Sequence, residues 1–72
     1  MKISGTGDFG KIIRTRRKEL RYTQGFVAEV TGLSASFISD LENGKATAEL
    51  GKAILLANLL ALDIEISERG ER

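Results

Sequence analysis

The sequence predicts an all-α domain of four short helices with a short C-terminal β-strand appended. Three observations carry that expectation. Apolar residues recur at helical spacing in four separate stretches. The stretch TQGFVAEVTGLSASFISDLENG, residues 23–44, holds two of these on either side of a glycine. Residues 62–67 then switch to alternation with a period of two.

Residues 1–7 are polar and glycine-bearing, an arm in which Ile3 is available for a brief edge-strand contact. A first helix is expected over about residues 6–20, because Phe9, Ile12, Ile13 and Leu20 fall on one face and leave a basic face opposite. Gly10 weakens it slightly. Arg17 sits one turn before Leu20, at the buried edge, where a guanidinium needs a partner, and Glu42 is the available one.

Thr23 is placed to cap a second helix over residues 24–31, carrying Gln24, Val27, Ala28 and Val30. Gly32 ends it, since glycine takes positive φ without a Cβ penalty and lets the chain reverse within three residues. Leu33 drops into the gap between the helices. Ser34 caps a third helix over residues 35–43, with Ile38 and Leu41 facing inward and Ala35, Ser36, Ser39 and Asp40 facing out. Two short helices meeting at such a corner make a helix-turn-helix. Phe26 and Val30, four residues apart, form an apolar patch outside the second helix, either a protein contact surface or a ring folded back on the first or fourth helix.

Thr47 and Glu49 mark the start of a fourth helix, expected over residues 48–61. Its run LGKAILLANLLAL is apolar on more than one face. Leu50, Ile54, Ala57 and Ala61 are expected to line the core, which leaves Leu55, Leu56, Leu59 and Leu62 as a second surface that a chain of this size cannot cover alone. A second copy covers it most simply. The strand at 62–67, Leu-Asp-Ile-Glu-Ile-Ser, points the same way, because its amides need partners. Pairing with its equivalent in a second protomer is the first choice and pairing with Lys2–Ser4 the second. The dimerisation residues expected are Leu55, Leu59, Leu62, Ile64 and Ile66. Residues 68–72 are charged and expected to fray.

Composition narrows the chemistry. Seventy-two residues allow one domain, residues 1–72, near the lower limit for a self-sufficient core. Cysteine and histidine are absent, which removes disulfides, thiol nucleophiles, zinc fingers and imidazole acid–base catalysis. No enzyme, metal or cofactor is expected. No apolar run is long enough to cross a membrane and no signal peptide is read at the start, so a cytoplasmic protein without a membrane partner is the expectation. The net charge of +1 hides a local bias: Lys11, Arg14, Arg16, Arg17, Lys18 and Arg21 crowd residues 11–21, with Glu19 the sole acid among them. Beside a helix-turn-helix, such a run reads as phosphate-neutralising charge.

The spacing of Thr23, Gln24, Ala28, Gly32, Ser34, Ile38, Ser39, Glu42, Asn43 and Gly44 resembles the helix-turn-helix of the Xre and phage-repressor family. The resemblance implies a lambda-repressor-like fold and, at the positions matching Arg17 and Glu42, an ion pair tying the first helix to the recognition helix. Arg21 departs from the pattern, which usually has glycine there, and Phe26 stands where a polar residue is usual. A terminal strand directly after such a domain is similar to the HipB-like antitoxins of bacterial toxin–antitoxin systems. Their resemblance implies a homodimer bound to double-stranded operator DNA, terminal strands paired between protomers, and a toxin partner.

In helix-turn-helix docking, the amino end of the second motif helix enters the major groove and the first crosses the backbone. That geometry makes Ser34, Ala35, Ser36, Ser39 and Asp40 the candidate base contacts, with serine hydroxyls donating or accepting, Ala35 meeting a thymine methyl and Asp40 accepting from cytosine. Gln24, Asn43 and Lys45 are the candidate phosphate contacts, followed by Arg21 and Lys18. One feature opposes this reading: residues 34–43 hold two acids and no Lys or Arg. A dimeric repressor, an antitoxin autoregulating its operon, is the leading expectation. A free-standing phage-type repressor and a protein-interaction module without DNA reading are the alternatives.

Overall fold

The structure, a computed structural model, describes residues 2–70; the arm's Met1 and the tail's Glu71 and Arg72 lie outside them. Four helices follow in order: α1 (Thr6–Glu19), α2 (Gln24–Thr31), α3 (Ala35–Glu42) and α4 (Leu50–Leu59). The fold is the all-α, four-helix helix-turn-helix architecture. Its core gathers Ile13 from α1, Val27 from α2, Ile38 and Leu41 from α3, and Ala53, Leu56, Ala57 and Leu60 from α4 and its end. Phe9, Leu20, Tyr22, Leu33, Phe37, Leu59 and Leu62 pack around it half-buried.

The motif helices begin where hydroxyls supply partners for free amides. Thr23 Oγ1 accepts from the Phe26 amide at 3.0 Å and Ser34 Oγ from the Phe37 amide at 3.0 Å. α2 ends on Gly32 at φ 77°. The other three helices close with one hydrogen-bond pattern, in which two successive amides reach back over the last turn. In α1 these are Arg21 to Lys18 O (2.9 Å) and Tyr22 to Arg17 O (3.0 Å). In α3 they are Gly44 to Leu41 O and Lys45 to Asp40 O, both 3.0 Å. In α4 they are Ala61 to Asn58 O and Leu62 to Ala57 O, also 3.0 Å. The pattern forces its hinge residue into the left-handed region. Gly44 takes φ 83° freely, whereas Arg21 (63°) and Ala61 (60°) carry a Cβ there.

α1 packs directly on the main chain of α3. A Cβ on Gly10 would fall 2.7 Å from the Glu42 carbonyl oxygen and closer still to that of Leu41, so only glycine fits. The contact continues at the start of the helix, where Thr6 Oγ1 donates to Gly44 O at 2.8 Å. Gly10 is therefore a packing requirement, not the weak point its helix propensity indicates.

α4 turns a different face inward from the one expected. Ala53, Leu56, Ala57 and Leu60 are buried, while Leu50, Ile54 and Ala61 are exposed, so of the expected core set only Ala57 holds its place. The cause lies in the sequence itself: a run apolar all round gives periodicity nothing to choose with, and packing against α1 and α2 sets the rotation. The helix is also shorter at both ends than residues 48–61. Glu49 is its N-cap, and the left-handed turn at Ala61 stops it.

No strand forms among the described residues, and residues 62–67 run as irregular chain. A ladder needs a second edge. Within one chain the available edge is Lys2–Ser4, but the Ser4 amide donates to Asp8 Oδ2 at 3.0 Å at the head of α1. Ile3 and Ile64 instead face each other across a shallow hollow with Phe9, Ile12 and Leu62.

Candidate nucleic-acid interface

The corner where α1, α2 and α3 meet is held by one buried charge network. Arg17 grips Glu42 with both prongs, Nε to Oε2 at 2.6 Å and Nη2 to Oε1 at 3.0 Å, and its Nη1 donates to Tyr22 O at 2.9 Å. Gln24 Nε2 donates to Glu42 Oε1 at 3.1 Å. Both charged residues are buried, so this carboxylate is offset inside the protein and contributes no free negative charge to the surface. Burial pushes the Glu42 carboxyl up, but the hydrogen bonds from Arg17 and Gln24 and the charges of Arg17 and Arg14 outweigh it and hold the group below its ordinary value. The hydrogen bond to Glu42 raises Arg17 further, against its own desolvation. The network fixes the N-terminus of α2 against the C-terminus of α3, and with it the angle of the helix-turn-helix.

α3 presents Ser34, Ala35 and Ser36 exposed at its amino end, while Ser39 and Asp40 are half-buried one turn on. Ser34 spends an acceptor lone pair on the cap and keeps its hydroxyl proton to donate. The acid on this face has a partner the spacing did not reveal. Lys45 Nζ lies 3.5 Å from Asp40 Oδ2, brought back over the helix by the turn at Gly44. Asn43 is exposed, with Nδ2 donating to Ser39 O at 2.9 Å and its carbonyl oxygen outward-capable. Gln24 is half-buried and commits an amide hydrogen to Glu42, and its second N–H remains to donate. Lys18 and Arg21 are exposed.

Outside α2, Phe26 stacks on Tyr22 with ring centroids 4.8 Å apart and interplanar angle 44°. The ring thus leans on the α1–α2 turn yet stays 45% exposed, beside Val30 at 52%. Leu55, Ile64 and Ile66 are also exposed, whereas Leu59 and Leu62 are half-buried against the core.

An exposed, capped helix set by a rigid corner beside a second helix is the architecture of a major-groove reader. The chain belongs to the helix-turn-helix family, whose model matches residues 13–66. It is 39% identical over 71 residues, 99% of this chain and 93% of the relative, to the uncharacterized HTH-type transcriptional regulator y4mF of Sinorhizobium fredii (strain NBRC 101917 / NGR234). It is 31% identical over 62 residues, 86% of this chain and 69% of the relative, to the ImmF control region 10 kDa protein of Bacillus phage phi105. Among solved structures, the fold is similar to HipB in complex with an O4 20mer, at TM-score 0.87 and 20% identity over 96% of this chain and 97% of that one. The same TM-score, identity and coverage relate it to a chain of the HipA-HipB-O2-O3 complex.

Proposed function

We propose that this DNA-binding transcriptional regulator is a homodimeric repressor of the antitoxin type, reading its own operator and holding a toxin partner. The observation that carries the reading is the exposed amino end of α3, fixed in place through the Arg17–Glu42–Gln24 network and set in a chain similar along its whole length to HipB. Ser34, Ala35, Ser36, Ser39 and Asp40 are the base contacts in this reading, and Gln24, Asn43, Lys45, Arg21 and Lys18 the phosphate contacts. The Asp40–Lys45 pair offsets the acidity of α3: the carboxylate can accept from a cytosine amino group while the ammonium faces the phosphates. Two α3 helices about one helical turn apart, ~34 Å, would read two half-sites. The exposed Leu55, Ile64 and Ile66 support a second copy as cover, and the solved HipA-HipB assembly supports a toxin partner.

The family is a class of DNA-binding regulators and supplies no catalytic role. No helix among the described residues is long and apolar enough to cross a membrane. A second reading, a free-standing phage-type repressor, is favoured by the likeness to the phage phi105 control-region protein. The deciding experiment is binding of the purified chain to its own promoter and to an unrelated duplex across a salt series, with the neighbouring gene product added. Promoter-selective, salt-steep binding that the neighbouring protein tightens supports the antitoxin. Selective binding indifferent to any neighbour supports the free-standing repressor, and equal weak binding to both duplexes overturns the two together.

A further inference from the structure

The cations of this chain divide by what they already hold. Arg17 is spent on Glu42, Arg16 on Leu60 O at 2.9 Å and Glu19 at 3.5 Å, Lys45 on Asp40, and Lys52 on Glu49 at 3.6 Å. Among the described residues, that leaves Lys11, Arg14, Lys18 and Arg21 as a group without an acidic partner, with Lys2 and Arg69 near the chain ends. All four belong to α1 or the turn that closes it.

They do not ring the helix evenly. The buried stripe of α1 carries Gly10 and Arg17, which touch the carbonyls of Leu41 and Glu42 and the Glu42 carboxylate. At 3.6 residues per turn, Arg14 stands beside that stripe, one turn beyond Gly10 and just short of Arg17, with Lys18 and Lys11 on the same flank. Arg16 is on the opposite flank, which faces α4 through Leu60. Arg14 is thus the free cation adjoining the C-terminal turn of α3, where Gln24 binds Glu42 and the N-terminus of α2 points outward. Its charge acts on Glu42, which is consistent with that proximity.

We infer that Arg14 is a contact for the DNA phosphate backbone, made at the corner between the N-terminus of α2 and the C-terminus of α3. The inference rests on the DNA-binding reading and adds to it a residue outside the helix-turn-helix motif. A phosphate beside Gln24 meets the unpaired amides and positive dipole end of α2, and Arg14 completes that site with a mobile, bidentate fork. It also answers the charge problem of α3. Because Glu42 is neutralised internally, Arg14 offers the groove edge a full positive charge that the recognition helix lacks.

The test needs no operator, since phosphate contacts carry no sequence information. Binding of wild type, Arg14→Ala and Arg14→Lys to a random-sequence duplex is measured from low to moderate salt, with thermal unfolding recorded for each. Arg14→Ala is expected to flatten the slope of log K against log salt by about 0.9 per bound protomer. Arg14→Lys is expected to restore the slope, and the melting temperature of both is expected to stay at the wild-type value because Arg14 is exposed. A slope unchanged in Arg14→Ala, with wild type binding normally, overturns this contact alone. A wild type that ignores the duplex even at low salt overturns the DNA reading with it.

Discussion

Gly10 on α1 meets the carbonyl oxygen of Leu41 on α3 with no room for a side chain between them. The atoms in the way are main chain on both sides, so neither helix yields without moving as a body. In an exposed helix, Gly→Ala gains about 1 kcal/mol of helix propensity. Here the sign reverses. Gly10→Ala is expected to cost about 1–3 kcal/mol through overpacking, lowering the melting temperature by about 4–8 °C for each kcal/mol in a domain of this size. A variant that melts at or above the wild-type temperature would show that α1 does not approach α3 this closely.

What could be read from the sequence divides along the line between local and tertiary causes. Thr23, Ser34 and Gly32 act within three residues of themselves, and the helix-turn-helix they bound was legible. Gly10 was read by its propensity because its neighbours lie about thirty residues on, at Leu41 and Glu42. The rotation of α4 was misread because Leu, Ile and Ala occupy every face. Lys45 was read as a phosphate contact, but its approach to Asp40 depends on the turn at Gly44, which spacing alone does not describe. The alternation at 62–67 is real as a pattern, yet a strand exists only once an edge is there to pair with.

Arg17→Ala is expected to cost about 3–5 kcal/mol, since it leaves a buried carboxylate with Gln24 as its remaining side-chain partner and strips a donor from Tyr22 O. Set against total stability of roughly 0.05–0.15 kcal/mol per residue, that loss brings the domain close to unfolding at room temperature. Urea titration followed by circular dichroism measures it. The double variant Arg17→Met, Glu42→Leu is expected to recover a large part of the loss, because no charge is then stranded. Equal stability of wild type and Arg17→Ala would mean the pair is not formed in solution.

The same pair sets a pH dependence. Glu42 titrates lower in the folded chain than in the unfolded one, where a glutamate has pKa about 4.3. As pH falls through the ordinary carboxylate range, the unfolded state takes up this proton first, so its contribution is complete at neutral pH and drains away toward the depressed folded value. Glu42→Gln is expected to be less stable at neutral pH and to lose less stability on acidification. Parallel pH profiles for wild type and Glu42→Gln would place the acid sensitivity elsewhere.

Arg21 and Ala61 hold the same left-handed hinge position that Gly44 holds in α3. A Cβ there costs about 1–2 kcal/mol, while glycine costs about 0.4–1 kcal/mol through the freedom of the unfolded chain. Ala61→Gly is therefore expected to raise stability by up to about 1 kcal/mol. Arg21→Gly is expected to gain similarly in stability but to flatten the salt dependence of DNA binding, because the relieved residue is also a phosphate contact. Thermal melts and a salt series on the two variants separate backbone strain from charge; a loss of stability in both would put the hinge outside the left-handed region.

The tail decides whether the exposed apolar surface is an assembly device. Leu62 packs half-buried on the core, so a chain truncated after it keeps its own fold intact. Beyond it Ile64 and Ile66 are exposed, Ile66 at 96%, and they contribute nothing to the monomer's core. Removing Asp63–Arg72 is expected to leave the melting curve of the isolated domain nearly unchanged while shifting micromolar sedimentation from dimer toward monomer. Ile66→Lys, which alters one side chain and preserves every backbone group, is expected to act in the same direction and more weakly. Operator affinity should fall with the dimer, since two linked half-sites bind far more tightly than one. Sedimentation that stays the same in both variants would assign dimerisation to α4 through Leu55 and leave the tail free for another partner.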